Sequence, residues 1–97
     1  MIIHTEQLDG TAASGTFALN TPNMRGLCHN FVVKPETETT IWSVKIENAA
    51  GAVVYERTSE TGTLSELISL PLRGIYTATI YDSTVDEDFI IQFNIEE

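Results

Sequence analysis

Two alternating apolar segments, joined by a four-residue turn, constrain the fold of this chain more strongly than any other feature. The first segment covers 41–47 and the second 52–57, with Asn-Ala-Ala-Gly between them. Side chains of a strand alternate between its two faces, so Trp42, Val44 and Ile46 share one face of the first segment. The pattern predicts a β-hairpin.

The turn also predicts how the two arms of the hairpin pair. Its leading Asn can satisfy nearby backbone donors, and its closing Gly accepts a positive φ without strain. A four-residue loop would place Ile46 opposite Val53. Val44 would then face Tyr55, so apolar side chains stay together. A three-residue loop would instead set Val44 against Glu56, so we predict the four-residue loop.

Short alternating segments fill the rest of the chain, separated by Gly, Pro, Asn and Asp. We predict strands at 2–8, 16–19, 24–33, 64–70, 75–82 and 89–95, the first of them at a sheet edge. Turns are predicted at Asp9-Gly10 and at 71–74, and a loop at 58–63. The 64–70 segment also fits a helical spacing, but it is short and ends at Pro71, so a strand is favoured.

The alternation further predicts which side chains face inward. These are Phe17, Leu19, Ile68, Leu70, Tyr76, Ala78, Ile80, Phe89, Ile91, Phe93 and Ile95. In the 24–33 strand, the more apolar face holds Leu27, Phe31, Val33 and His29, and Cys28 lies on the other face. Seven or eight such strands predict an all-β fold, an antiparallel β-sandwich that forms one domain over 1–97.

The charge of the chain restricts its partners. Fourteen acidic residues against five basic ones give a net charge of −9. This excess repels phosphate backbones, and the basic residues are scattered, so no nucleic-acid binding is expected. An acidic surface keeps a small protein soluble, and it also suits docking onto a basic protein.

The start of the chain shows no targeting signal. Met1 is followed by neither a basic segment nor a long apolar run, so we predict no signal peptide, no membrane span, and a chain that is made and kept in the cytoplasm or released by lysis. Cys28 is the one cysteine, so no intramolecular disulfide is expected.

Few residue types that support catalysis are present. His4 and His29 are the only histidines. Cys28 and His29 are neighbours that point to opposite faces of a strand, so they cannot form a dyad. A zinc site would need carboxylate ligands as well, and His29 fits a half-buried packing role. We therefore predict no catalytic residue, no metal and no cofactor, and we do not expect an enzyme.

The acidic turn at 82–88 is the one segment with oxygen ligands close together in sequence. Asp82, Asp86 and Asp88 could serve calcium, which prefers such ligands. Their spacing does not match an EF-hand loop, so a solvated turn is favoured and an ion is left open.

The segment 72–78 resembles the L-x-x-G-x-Y pattern that opens a late strand of immunoglobulin-like domains, in which the tyrosine hydroxyl bonds back to an earlier loop. Trp42 matches the tryptophan of strand C, and Cys28 lies at a spacing compatible with strand B. Ala78 replaces the second cysteine. The resemblance implies an immunoglobulin-like β-sandwich that lacks the inter-sheet disulfide.

The runs 31–35, 40–46, 51–57 and 70–76 resemble small sandwich proteins encoded among the head and tail genes of tailed bacteriophages. This resemblance implies a non-enzymatic virion protein on the capsid surface, a capsid decoration or cement protein. Its partner would be the major capsid protein or another virion protein, and it would form a homo-oligomer. The alternatives are an adhesion or carbohydrate-binding module and an acidic inhibitor that mimics nucleic acid.

Overall fold

The alternating segments form eight strands in the computed structural model, which describes residues 3–97. The strands are β1 (Ile3–Thr11), β2 (Phe17–Asn20), β3 (Met24–Pro35), β4 (Ile41–Glu47), β5 (Val53–Thr61), β6 (Leu64–Gly74), β7 (Thr77–Tyr81) and β8 (Asp88–Glu96). Within 3–97, no helix is long and apolar enough to cross a membrane. The predicted strand at 64–70 is confirmed as part of β6.

The strands form two four-stranded antiparallel sheets. The first has the order β1-β8-β3-β6 and the second β2-β7-β4-β5. The predicted all-β sandwich is confirmed. Its strand order is that of a jelly roll, in which two Greek keys share the two layers. In an immunoglobulin domain the first two strands share a sheet, whereas β1 and β2 lie in different sheets here. The immunoglobulin resemblance therefore extends to the two-layer architecture and not to the strand order.

The core lies between the sheets and contains the predicted faces of β4, β7 and β8. The residues with no solvent-exposed surface include Phe31, Val33, Trp42, Val44, Ile46, Ala78, Ile80, Phe89, Ile91, Phe93 and Ile95. Each large side chain contributes about 1.5–3 kcal/mol when it is buried. Tyr76, also buried, accepts a hydrogen bond at its hydroxyl from the Arg73 amide at 2.8 Å. This bond lies within the 72–78 segment, whereas the resemblance implied a bond to an earlier loop.

The arms of the central hairpin pair in a different register from the predicted one. Ile46 faces Tyr55, and Val53, which is 50% exposed, faces Glu47. The loop is one residue shorter than predicted, and a bulge at Val54 adds one residue to β5. The bulge shifts Tyr55 from a position opposite Val44 to one opposite Ile46, and because both are inward residues, Tyr55 packs against the core as the alternation predicts.

A second bulge overturns the predicted face of β3 before position 29, whereas Phe31 and Val33 are buried as predicted. Its register against β8 shifts between Cys28 and Asn30, which makes His29 the extra residue. Cys28 is therefore completely buried, Leu27 is 37% exposed, and Phe31 returns to the core beyond the bulge. His29 is half-buried, as predicted.

Two predicted turns are strands in the structure. β1 continues through Asp9-Gly10, because these residues pair with Ile90 and Phe89 of β8. The glycine is explained by Phe17, whose ring packs where a side chain at position 10 would lie. β6 continues through Pro71, which is tolerated because β6 is an edge strand that lacks a second neighbour. Most of the predicted 58–63 loop likewise belongs to β5. The predicted first strand began at Ile2, which lies outside the described residues.

Candidate functional site

A hollow of about 500 Å³ opens where β1, β3 and β8 end. Ile90 contributes an apolar side chain to it, and its neighbours across the sheet are Asp9 on β1 and Lys34 on β3. A carboxylate and an ammonium group therefore flank one apolar side chain. We call this feature the strand-end hollow.

Two further carboxylates line the strand-end hollow. Glu36 accepts a hydrogen bond from the backbone amide of Asp88 at 2.8 Å. The Asp88 side chain in turn accepts one from the Thr11 hydroxyl at 2.5 Å. With Asp9 and Lys34, the hollow holds three carboxylates and one ammonium group. Such a lining suits the long, positively charged side chain of a Lys or Arg from another protein, because the stem packs on apolar surface and the head meets carboxylates.

The three aspartates of the acidic turn do not converge on one point. The Asp86 carboxylate accepts hydrogen bonds from the amides of Ser14 and Gly15 at 3.1 and 2.9 Å. The Asp88 carboxylate is held by β1, and Asp82 is exposed with a φ of 52°. Among residues 3–97, no group of three or more His, Cys, Asp or Glu is placed to hold a metal ion. Asp86 and Asp88 instead attach the turn to the end of β1 and the loop that follows it.

Other carboxylates hold the remaining loops at this end of the sandwich. Glu87 accepts hydrogen bonds from the Thr37 amide at 2.9 Å and the Thr40 hydroxyl at 3.2 Å. Glu38 accepts from the hydroxyl and the amide of Thr63, and these bonds lower the pKa of Glu38. The loops at 12–16, 36–40 and 82–87, which adjoin the lining residues Thr11, Glu36 and Asp88, are therefore joined to one another, and this limits how far the hollow changes shape on binding.

A charged cluster joins the two sheets at the edge formed by β5 and β6. The Tyr55 hydroxyl donates to Glu66 at 2.7 Å, and Arg57 forms an ion pair with the same carboxylate at 2.5 Å. The Arg57 guanidinium lies 4.8 Å from the centre of the Tyr55 ring. Burial, and then the bond to Glu66, raise the pKa of Tyr55, while the bonds from Arg57 and Tyr55 lower the pKa of Glu66. Through these contacts the cluster links β5 of one sheet to β6 of the other.

The histidines and the cysteine lie apart from the strand-end hollow. Cys28 is buried, and burial raises the pKa of its thiol, which opposes the thiolate that a nucleophile requires. His4 lies on β1. Its Nε2 is 3.7 Å from the carboxylate of Glu6 on the same strand, and its Nδ1 is 3.6 Å from the carboxylate of Glu97. His29 lies at the bulge in β3.

Sequence reasoning did not identify the strand-end hollow. Its lining comes from segments around positions 9, 35 and 89, which are far apart in the chain. They meet because β8 lies between β1 and β3. A long-range strand order of this kind leaves no local signal, and the Asp9-Gly10 pair was in fact assigned to a turn.

No protein-family model matches the chain, and no curated protein matches it. Solved structures share its fold, among them three that cover 92% or more of this chain. The first is a Yersinia pseudotuberculosis-derived mitogen, with a TM-score of 0.60 and 9% identity over 99% of this chain and 89% of that chain. The second is Aeromonas hydrophila PliG, a periplasmic lysozyme inhibitor of g-type lysozyme, with a TM-score of 0.56 and 14% identity over 94% of this chain and 86% of that chain. The third is PirA, with a TM-score of 0.54 and 9% identity over 92% of this chain and 93% of that chain. At these identities the likeness concerns the fold alone, because one sandwich carries many unrelated functions.

Proposed function

We propose that the protein is a non-enzymatic virion component that decorates a capsid by protein–protein contacts, with the strand-end hollow as its attachment point. The observation that carries the proposal is the lining of the hollow. Ile90 stands between Asp9 and Lys34, and Glu36 is oriented by a hydrogen bond from the neighbouring strand. A small apolar centre with a charged rim is typical of a protein-binding site.

Further features of the chain support attachment rather than chemistry. The loops beside the hollow are held by Asp86, Glu87 and Glu38, so little ordering would accompany binding. The net charge of −9 favours a basic partner surface. The resemblance of four segments to phage head and tail sandwich proteins is the reason why we propose a capsid as the partner surface.

Mass spectrometry of purified virus particles tests the location. We expect this chain at a copy number comparable to that of the major capsid protein. Its absence from particles that contain the capsid and tail proteins would refute the proposal. Inhibition of a DNA-binding enzyme by the free protein would then favour the nucleic-acid mimic instead.

Charge-neutralising variants test the attachment point. In the double variant Asp9→Asn and Glu36→Gln, side-chain shape is kept and two charges are removed from the hollow. We expect binding to capsid shells, measured by co-sedimentation, to weaken at least about tenfold, because each substitution removes an acceptor for a charge-assisted hydrogen bond from a basic side chain. The matched control is Asp82→Asn with Glu97→Gln, which removes the same charge at exposed positions outside the hollow. Equal weakening in both variants would refute the hollow as the attachment point.

A further inference from the structure

The two sheets expose four edge strands, and three of them are interrupted. β2 has four residues, β5 carries two register shifts, and β6 contains Pro71 and faces the bulge of β3. Proteins use short strands, bulges and prolines to keep edges from pairing with other chains. β1 differs, because its nine residues pair with β8 without a shift in register.

The hydrogen bonds of β1 show which of its backbone groups point outward. The Ala12 amide bonds to the Glu87 carbonyl at 2.9 Å, and this pair continues the β1–β8 register. Hydrogen-bonded and non-bonded pairs alternate along an antiparallel ladder, so the even-numbered residues of β1 bond to β8. The odd-numbered ones, Ile3 to Thr11, direct their amides and carbonyls to the outer edge. Within residues 3–97, β8 is the only strand that pairs with β1.

We propose that this edge binds a second copy of the chain, with the two β1 strands antiparallel around a two-fold axis at Gln7. Gln7 would pair with the partner's Gln7, and Thr5 with the partner's Asp9. The pairing would join the two four-stranded sheets into one sheet of eight. It adds an oligomeric contact to the proposed function and does not depend on it.

The sequence of β1 favours this register over its neighbours. A two-fold axis at Gln7 pairs all five residues whose backbone groups point outward, which are Ile3, Thr5, Gln7, Asp9 and Thr11. It also sets Glu6 opposite the partner's Leu8 and His4 opposite the partner's Gly10, so no two like charges face each other. A shift by two residues in one direction would set Glu6 directly against the partner's Glu6. A shift in the other direction would leave Ile3 unpaired.

A proline variant tests the contact by molecular mass. Gln7→Pro removes an amide that faces away from β8, so the β1–β8 ladder is kept and the outer edge is blocked. Analytical ultracentrifugation at about 100 µM, roughly 100-fold above a dissociation constant of 1 µM, should give twice 10.7 kDa for the unmodified chain and 10.7 kDa for Gln7→Pro. Gln7→Ala is the control for loss of the side chain. It keeps the backbone amide at position 7, so this variant should remain a dimer.

Amide hydrogen exchange on the unmodified protein provides a second measurement that does not require a variant to fold. In the proposed dimer, the amides of Thr5, Gln7 and Asp9 are hydrogen-bonded, and their exchange should slow at least about 100-fold between dilute and concentrated samples. A monomer at every concentration would overturn the proposal. A dimer whose three amides stay unprotected, or that survives Gln7→Pro, would overturn it equally by placing the contact elsewhere.

Discussion

At the scale of single residues, Trp42 combines burial with a specific hydrogen bond. It has no exposed surface, packs edge-on against Phe89, and donates from Nε1 to the Gly62 carbonyl at 2.8 Å. We expect Trp42→Ala to lower the free energy of unfolding by about 3–5 kcal/mol, because it leaves a cavity and an unpaired carbonyl. Urea denaturation measures this. Ile41→Ala, at the exposed neighbouring position, should change it by less than about 0.5 kcal/mol. An unchanged midpoint for Trp42→Ala would contradict its central position.

Asn48 is a residue whose role depends on one oxygen atom. Its Oδ1 accepts hydrogen bonds from the amides of Ala50 and Ala52, both at 3.0 Å, and so holds the hairpin loop. Asn48→Ala should cost about 1–2 kcal/mol in thermal or urea unfolding, because both amides lose their acceptor. Asn48→Asp keeps the oxygen and should cost clearly less. If the two variants are equally destabilised, the side-chain oxygen is not what holds the loop.

At the scale of elements, the Glu66 cluster makes the contact between β5 and β6 depend on pH. Folding lowers the pKa of Glu66, so its ionised form stabilises the fold above its ordinary pKa. That contribution is lost as the pH falls through the lowered value. We expect Glu66→Gln to cost about 0.5–1 kcal/mol near neutral pH, a small value because both partners are partly exposed.

The same comparison should give a difference that shrinks as the pH falls below the ordinary pKa of Glu66 and through its lowered value in the folded state. Urea midpoints of the two proteins across the acidic range measure this convergence. Asp82→Asn, an exposed carboxylate outside the cluster, is the control for general charge effects. A constant gap between Glu66→Gln and the unmodified protein down to low pH would assign the effect to packing rather than to charge.

The strands differ in how far their sequences predicted them, and bulges explain the difference. β8 alternates without interruption, and all four of its predicted inward residues are completely buried. In β3 and β5 an extra residue exchanges the two faces, so Cys28 turned inward and Val53 outward. The alternation of apolar and polar residues in a sequence does not show where a bulge lies, because the bulge depends on pairing with the neighbouring strand.

At the scale of the whole molecule, the order of the strands was beyond reach of local patterns, and the candidate site depends on that order. Alternation predicts that strands exist and which faces are apolar. It does not predict that β8 lies between β1 and β3. Asp9, Lys34 and Ile90 therefore became neighbours only in the structure, and so did the carboxylates that hold the loops. The net charge, in contrast, follows from the composition and is a property of the whole protein molecule.

That charge leads to a prediction about salt. The molecule measures 37 × 25 × 19 Å, which is close to the Debye length of about 30 Å at 10 mM salt. At low salt its carboxylates therefore repel one another across the whole fold, while unfolding lets them separate. We expect the free energy of unfolding to rise by about 0.5–1 kcal/mol between about 10 mM and about 500 mM sodium chloride.

Urea midpoints at several salt concentrations measure the effect. The variant Asp82→Asn with Glu97→Gln changes the net charge from −9 to −7, because two carboxylates are neutralised, and its dependence on salt should be weaker. Ion pairs act in the opposite direction, since salt screens attraction between Arg57 and Glu66 as well. With histidine counted as neutral, as in the net charge of −9, two such pairs within residues 3–97, Lys45–Glu47 and Arg57–Glu66, oppose the repulsion among fourteen acidic residues. A midpoint that falls with added salt would mean that these local attractions, and not the overall charge, dominate the electrostatics of the fold.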